Sequence, residues 1–255
     1  MFHVPKRLVF RWSLWGKWST SGLAMLHDSV ASFHVQFPNG TFVASYRQDA
    51  DLPDRRLLPE YLQWHSLPGE TGILPGDELW LKWFPQDLVD AADLFIAVDA
   101  DVFAVADPVG LRKWMVDELE SSICCMQESN PQPWQYGNYA DRFARLPVVN
   151  AGFVASREAA LFTQAMMWKY QQYTAQPSLQ RRWHDEQGAV AEYWLEQESL
   201  ARASFLPEAT NKLLCPSANA EVIDIQGLEI IHTPYPEHPK YYELKEQIRA
   251  AIARG

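Results

Sequence analysis

Apolar positions along this chain fall in short blocks whose spacing switches between the strand period and the helix period. Leu8 to Leu14 is apolar enough for a first strand, which Gly16 ends. From Gly22 to Phe37 the pattern is helical, with Leu26, Val30 and Phe33 on one face, and Pro38-Asn39-Gly40 stops the helix and turns the chain. Thr41 to Tyr46 is rich in β-branched and aromatic residues and reads as a second strand. The stretch from Leu52 to Gly76 has no clear period and is expected to form loops with short elements. Leu94 to Val98 is an unbroken apolar run, the mark of a strand covered on both faces. Val148 to Ala155 predicts another strand, and Ser156 is placed to cap a helix reaching about Tyr173, with Glu158 in its first turn. Asp185 to Glu198 predicts a helix opened by two acids, and Glu229 to His232 a last strand. Glu243 to Arg254 closes the chain as an amphipathic helix with Leu244, Ile248 and Ile252 four apart.

Strands alternating with helices predict a layered α/β fold on a mostly parallel sheet. No break in composition is strong enough to divide residues 1–255, so one domain is expected. Ligands of such sheets bind beyond the carboxyl ends of the strands, which directs attention to the residues just after each apolar run.

Composition narrows the function. With 47% apolar residues the chain can bury a sizeable core, and many of its aromatic rings, eleven of them Trp, are expected to line that core or a groove that stacks flat ligands. Thirty-two acidic against 22 basic residues give a net charge of −10, which repels nucleic acid and anionic lipid. Coating a duplex and steering to a membrane are thereby disfavoured. An acidic protein that handles phosphates needs a local basic site or a metal ion. The three cysteines, Cys124, Cys125 and Cys215, make neither a disulfide framework nor zinc spacing, and a reducing cytoplasm is expected. No apolar run approaches the roughly 20 residues of a membrane span, and charge and Gly interrupt the N-terminus before a signal peptide could form.

The most informative segment runs from Leu94-Phe-Ile-Ala-Val through Asp99-Ala-Asp101 to Val102-Phe-Ala-Val105. Positions two apart in extended chain face the same side, so both carboxylates can aim at one point. Two like charges that close are costly unless a cation sits between them or one is protonated. A hard divalent ion with oxygen ligands meets that need, and its open positions would hold phosphate oxygens. A turn with one capping and one solvated Asp is the rival, and the apolar segments on both sides argue against it.

Asp99-Ala-Asp101, with Ala106-Asp107-Pro108 behind it, resembles the DxD region of the GT-A glycosyltransferases, and the chain is similar to their family 8-like bacterial enzymes. Three later segments agree in order. Val148-Val-Asn-Ala-Gly-Phe-Val-Ala-Ser156 is similar to the family's N-x-G strand, which meets the donor sugar. His184-Asp-Glu-Gln187 resembles the acidic helix start near the transferred sugar. Ile230-Ile-His-Thr-Pro234 resembles the late strand whose His completes the metal site.

The resemblance implies a GT-A fold, an α/β Rossmann-like mixed, mostly parallel sheet flanked by helices. It implies a metal-dependent transferase using a nucleotide-diphospho-sugar, UDP-sugar first, and an unidentified acceptor that is a glycan, a lipid-linked molecule or a protein. Asp99, Asp101 and His232 would hold Mn²⁺ or Mg²⁺; imidazole suits Mn²⁺ as a borderline ligand. Asp99 would also meet the ribose or a water. Asp185 and Glu186 are the candidate catalytic acids, Asp185 preferred, with Gln187 hydrogen-bonding the sugar. Asn150 offers a donor and an acceptor to sugar hydroxyls, and Ala151 and Gly152 permit close approach. Trp15 and Gly16 end the strand where the family holds its base, so Trp15 stacks on that base or packs in the core. Lys82 is expected near a donor phosphate or ribose, and Lys240 near the diphosphate; Pro-rich spacing replaces the family's Gly between His232 and Lys240.

Two alternatives remain on sequence grounds. A haloacid-dehalogenase-type phosphatase also carries an apolar strand followed by Asp-x-Asp, but normally near the start of its domain, whereas almost 100 residues precede it here. A non-catalytic nucleotide-sugar-binding protein would keep every ligand and lack turnover.

Overall fold

The central strands are continuous apolar runs because both of their faces are covered. The computed structural model describes residues 7–14, 19–47, 52–67, 73–74, 76–117, 121–176, 180, 182, 184–215, 221, 224–234 and 238–254. In chain order the elements are β1 (Leu8–Leu14), α1 (Thr20–Gln36), β2 (Thr41–Arg47), β3 (Leu62–Leu67), α2 (Asp87–Asp90), β4 (Leu94–Val98), β5 (Val102–Ala104), α3 (Val109–Val116), β6 (Ile123–Gln127), β7 (Val149–Ser156), α4 (Ala159–Thr174), α5 (Asp185–Glu198), β8 (Ala203–Phe205), β9 (Asn211–Leu213), β10 (Ile230–His232) and α6 (Pro239–Arg254). Shorter 3-10 segments include Glu78–Trp83 and Pro133–Arg142.

Seven strands form one sheet in the order β3-β2-β1-β4-β7-β6-β8. Strands β3, β2, β1 and β4 are mutually parallel, as is the β6–β8 pair, while β7 runs antiparallel between β4 and β6. The sheet is thus mixed and mostly parallel. Residues of β4 alternate between two cores. Phe95 and Ala97 join a cluster with α4 and α5, whereas Leu94, Ile96 and Val98 join one with α1 and α3. A second, three-stranded sheet, β5-β10-β9, rests on α6 through Phe103, Ile231, Tyr241, Leu244 and Ile248. Asp28 of α1 ties α6 down by accepting from the Tyr241 hydroxyl at 2.9 Å and from Arg249 Nε at 2.8 Å.

Most of the predicted elements form close to their expected limits. Helix α1 opens at Thr20 because the Ser19 hydroxyl accepts from Gly22 N. Ser156 does not cap α4: it ends β7, its hydroxyl accepts from Glu158 N, and Glu158 stands at the cap position. Helix α6 begins four residues before Glu243, at Pro239, where a first-turn Pro loses no hydrogen bond. The stretch read as loops from Leu52 contains β3, an edge strand with Gln63, His65 and Ser66 in its sequence. Among the described residues no helix is long and apolar enough to cross a membrane.

Candidate active site

Strand β4 runs out at Val98, and the next three residues make a turn in which Val102 N donates to the Asp99 carbonyl. Two pairings bring distant side chains to this turn. Asp99 N donates to the Gly152 carbonyl at 2.8 Å, which sets the start of β7 beside it. Antiparallel pairing of β10 with β5 places His232 opposite Val102, and Thr233 N closes the arrangement on the Asp101 carbonyl at 2.9 Å. One ligand atom from each of Asp99, Asp101 and His232 then lies within 4.8 Å of the others.

His232 Nε2 is 3.2 Å from Asp101 Oδ1, and His232 Nδ1 is 2.9 Å from Asn150 Oδ1. The Asn150 oxygen also accepts from Gly152 N, so Nδ1 must be the donor, and a neutral ring turns its Nε2 lone pair toward the carboxylate. A lone pair and a carboxylate oxygen at that separation repel unless a proton or a cation lies between them. This donor set, two carboxylates and an imidazole nitrogen with one shared space, fits a divalent ion of the Mn²⁺ or Mg²⁺ type.

The other Asp101 oxygen, Oδ2, is 3.3 Å from His238 Nδ1. Burial alone would push the Asp101 carboxyl up, but without a metal ion a proton shared with His232, together with His238, outweighs it and holds the group well below the usual carboxylate range. Burial likewise opposes charge on His238, and its hydrogen bond to Asp101 overcomes that and raises it. His238 adopts φ +47°, a left-handed conformation uncommon outside glycine, just before α6 begins.

Lys82 reaches the site from the Glu78–Trp83 segment, fully buried. Its ammonium donates to Asp99 Oδ1 at 2.5 Å and to the Ala151 carbonyl at 3.2 Å, and it pairs with Glu186 Oε1 at 3.0 Å. Burial opposes the ammonium charge, yet Asp99 and Glu186 keep its pKa above the ordinary lysine value. Glu186 Oε2 accepts from Trp83 Nε1 at 2.6 Å. Burial and the neighbouring Asp99 push the Glu186 carboxyl up to about 7, against the pull of Lys82. Gln187, next in α5, accepts from Ala151 N at 3.3 Å.

The structure therefore brings Lys82, Asp99, Asp101, Asn150, Ala151, Gly152, Glu186, Gln187 and His232 into one constellation. Asp185 faces elsewhere. Its Oδ1 accepts from Asn138 N at 2.6 Å and its Oδ2 from Arg182 N at 2.7 Å, so it clamps the 133–142 segment to the start of α5. Lys240 pairs with Glu243 at 2.8 Å in the first turn of α6. Trp15 and Gly16 lie outside the described residues. Lys82 was expected at a phosphate or ribose, and its neighbours here are the two acids. Asn150 was expected to face sugar hydroxyls, and its amide here is engaged with His232, Gly152 and Glu128.

Three residues of the site were not singled out from the sequence: Glu128, Trp83 and His238. Glu128 had a usable signal, an acid just beyond the apolar run Ile123-Cys-Cys-Met126, the same signature that marks Asp99.

No protein-family model and no curated protein matches the chain by sequence. Solved structures do match its fold. The galactosyltransferase LgtC, in complex with donor and acceptor sugar analogs, superposes with TM-score 0.59 at 11% identity, covering 97% of this chain and 96% of its own. The bifunctional glycosyltransferase WbbM gives TM-score 0.62 at 11% identity, with 97% of this chain and 50% of WbbM covered. The glycosyltransferase GlyE of Streptococcus pneumoniae TIGR4 gives 0.60 at 11% identity, with 97% and 62% covered. This chain spans about half of WbbM and less than two thirds of GlyE, but nearly all of LgtC. It has the GT-A fold.

Proposed function

We propose that this GT-A chain is a metal-dependent glycosyltransferase that moves a sugar from a nucleotide-diphospho-sugar, UDP-sugar first, to an acceptor hydroxyl. The observation that carries the reading is the meeting of Asp99, Asp101 and His232 at the strand ends of this fold. A divalent ion, Mn²⁺ or Mg²⁺, bound there would neutralise the charge that grows on the leaving diphosphate. It would also reconcile an acidic protein with an acidic donor.

The chain's own side chains supply the rest. The bond from the anomeric carbon to the diphosphate oxygen breaks, a bond to the acceptor oxygen forms, and the acceptor's proton is released. Lys82 offsets the negative charge of Asp99 and Glu186, so that a half-buried and a buried acid can stand side by side at this end of the sheet. Glu186 and Gln187 are the residues we assign to the sugar. Asp185 is assigned to positioning, because both of its oxygens already accept backbone hydrogen bonds. An active-site glutamine-to-glutamate mutant of LgtC has been solved, and Gln187, directly after Glu186, is the glutamine this reading places at the sugar. Lys240, at the start of α6, is assigned to the diphosphate, and Trp15 and Gly16 to the base. A cytoplasmic setting belongs to the same reading, on the ground that three cysteines, two of them adjacent, do not make a disulfide framework.

Against the phosphatase alternative stands the likeness of nearly the whole chain to the fold of solved glycosyltransferases. A binding protein without turnover is separated by experiment. A panel of nucleotide sugars, incubated with Mn²⁺ and with EDTA, is read for free nucleoside diphosphate. Release is expected with the metal only, and Asp101→Asn is expected to lower it by about 100-fold or more. Donor binding with no release from any donor, with or without saccharide acceptors, would leave a binding protein and overturn the enzymatic reading.

A further inference from the structure

We infer that Asn150, backed by Glu128, is a positioning residue that fixes His232 in a single tautomer and ring orientation and so decides which nitrogen is offered to the cation. The inference rests on the function proposed above for its purpose, but its geometry stands independently.

The amide of Asn150 is held from both sides by groups that leave no choice of orientation. Gly152 N can only donate, and it faces Asn150 Oδ1 at 2.9 Å. The Glu128 carboxylate is an acceptor, and its Oε2 faces Asn150 Nδ2 at 3.3 Å. With the oxygen so placed, His232 Nδ1 at 2.9 Å has to carry the hydrogen, and Nε2 is left to face Asp101 Oδ1. An imidazole that ligates a metal through one nitrogen commonly donates its other N–H to a fixed acceptor, which sets the ring and its basicity.

Packing completes the constraint. A Cβ at position 152 would overlap the His232 ring, so glycine is what lets that ring lie flat against β7. Glu128, Asn150 and His232 are each about 95% buried or more, so bulk water cannot replace a missing partner in the chain of hydrogen bonds. Three of the four hydrogen-bonding positions of the Asn150 amide are committed to protein, leaving one N–H for any ligand. The strand motif Asn150-Ala-Gly152 thus does its first work inside the protein: Asn orients the histidine and Gly makes room for it.

The test uses the full-length chain and two readouts. Imidazole ¹⁵N NMR of the protein, recorded with Mg²⁺ and without it, reports whether His232 Nδ1 carries the hydrogen and so which tautomer it holds, and the electron paramagnetic resonance of added Mn²⁺ reports its affinity. Wild type is expected to show Nδ1–H at His232. Asn150→Ala is expected to lose that preference and to bind Mn²⁺ about 10–100-fold more weakly. The paired variant Glu128→Gln with Asn150→Asp reverses the direction of one hydrogen bond while keeping an acceptor for Nδ1–H. It is expected to keep the tautomer and to bind Mn²⁺ at least about 10-fold more tightly than Asn150→Ala; if Asn150→Ala fails to fold, the paired variant decides alone, by its tautomer. An Nε2–H tautomer in wild type, or in the paired variant, would overturn the inference, as would unchanged tautomer and affinity in a folded Asn150→Ala protein. If wild type binds no divalent ion yet shows the expected tautomer pattern, the metal-dependent function fails and the positioning role of Asn150 stands.

Discussion

Lys82 carries one positive charge into a space that holds two carboxylates, Asp99 at 2.5 Å and Glu186 at 3.0 Å, and none of its side chain reaches solvent. Removing the ammonium leaves a buried Glu186 and a half-buried Asp99 without their counter-charge. Lys82→Met keeps the stem and deletes the charge, and is expected to destabilise the fold by about 3–5 kcal/mol in urea unfolding. A Lys82→Met protein as stable as wild type would show that the two acids do not depend on this ammonium. Residues of this site differ in how far the sequence discloses them. Asp99 and Asp101 are legible because two positions at one strand end carry their own geometry, and His232 because an apolar run points to it. The partnership of Lys82 with those acids is not legible, since Glu186 and Asp99 come from elements far along the chain and only the sheet brings them together. His238 has no local signal at all; its place on Asp101 depends on where β10 hands over to α6.

Helix α5 and the 133–142 segment behave as one unit. Gly137, at φ +54°, lies against Asp185, and a side chain at Gly188 would overlap the Tyr136 carbonyl and the Tyr139 ring. Asp185 fastens this contact, and Glu186 and Gln187 follow it directly, so the clamp sets where both of them point. Asp185→Ala leaves Asn138 N and Arg182 N without their acceptor and is expected to cost about 1–3 kcal/mol in thermal or urea unfolding. Its effect on turnover is expected chiefly through a raised KM for the donor. Unchanged stability with abolished kcat would instead make Asp185 the acid that meets the sugar. The long strands and helices are legible in the sequence because each carries several residues of one clear period. Strands β5, β8 and β9, of three residues each, carry too few for any period and exist because a neighbouring strand pairs with them. Strand β3 is an edge strand of mixed polarity, and β7, antiparallel to both its neighbours, is the strand that makes the mostly parallel sheet mixed.

Across the whole molecule, charge is the dominant variable. The chain has a net charge of −10, and four of its acids, Asp99, Asp101, Glu128 and Glu186, lie buried or half-buried in the candidate site, so folding and ligand binding both respond to pH. Glu186 gives the sign. Its carboxyl rises from 4.5 to about 7 on folding, so in that window the folded protein holds a proton that the unfolded chain has released. Its contribution to stability is present below the lower value, declines as pH rises through the window and is lost above it. Glu186→Gln is therefore expected to show a shallower decline of Tm than wild type between about pH 5 and 7.5. Parallel curves for the two proteins would mean that Glu186 is ionised throughout.

At the same scale stands the claim that joins fold to chemistry: one cation seated where β4 ends, between the sheet and a donor's pyrophosphate. Crystals grown with Mn²⁺ and uridine diphosphate, measured at the manganese absorption edge, test it most directly. A single anomalous peak is expected within bonding distance of Asp99, Asp101 and His232 Nε2, in contact with the diphosphate. Bound nucleotide with no peak there, or a peak that leaves Asp101 and His232 still paired only with each other, would contradict it.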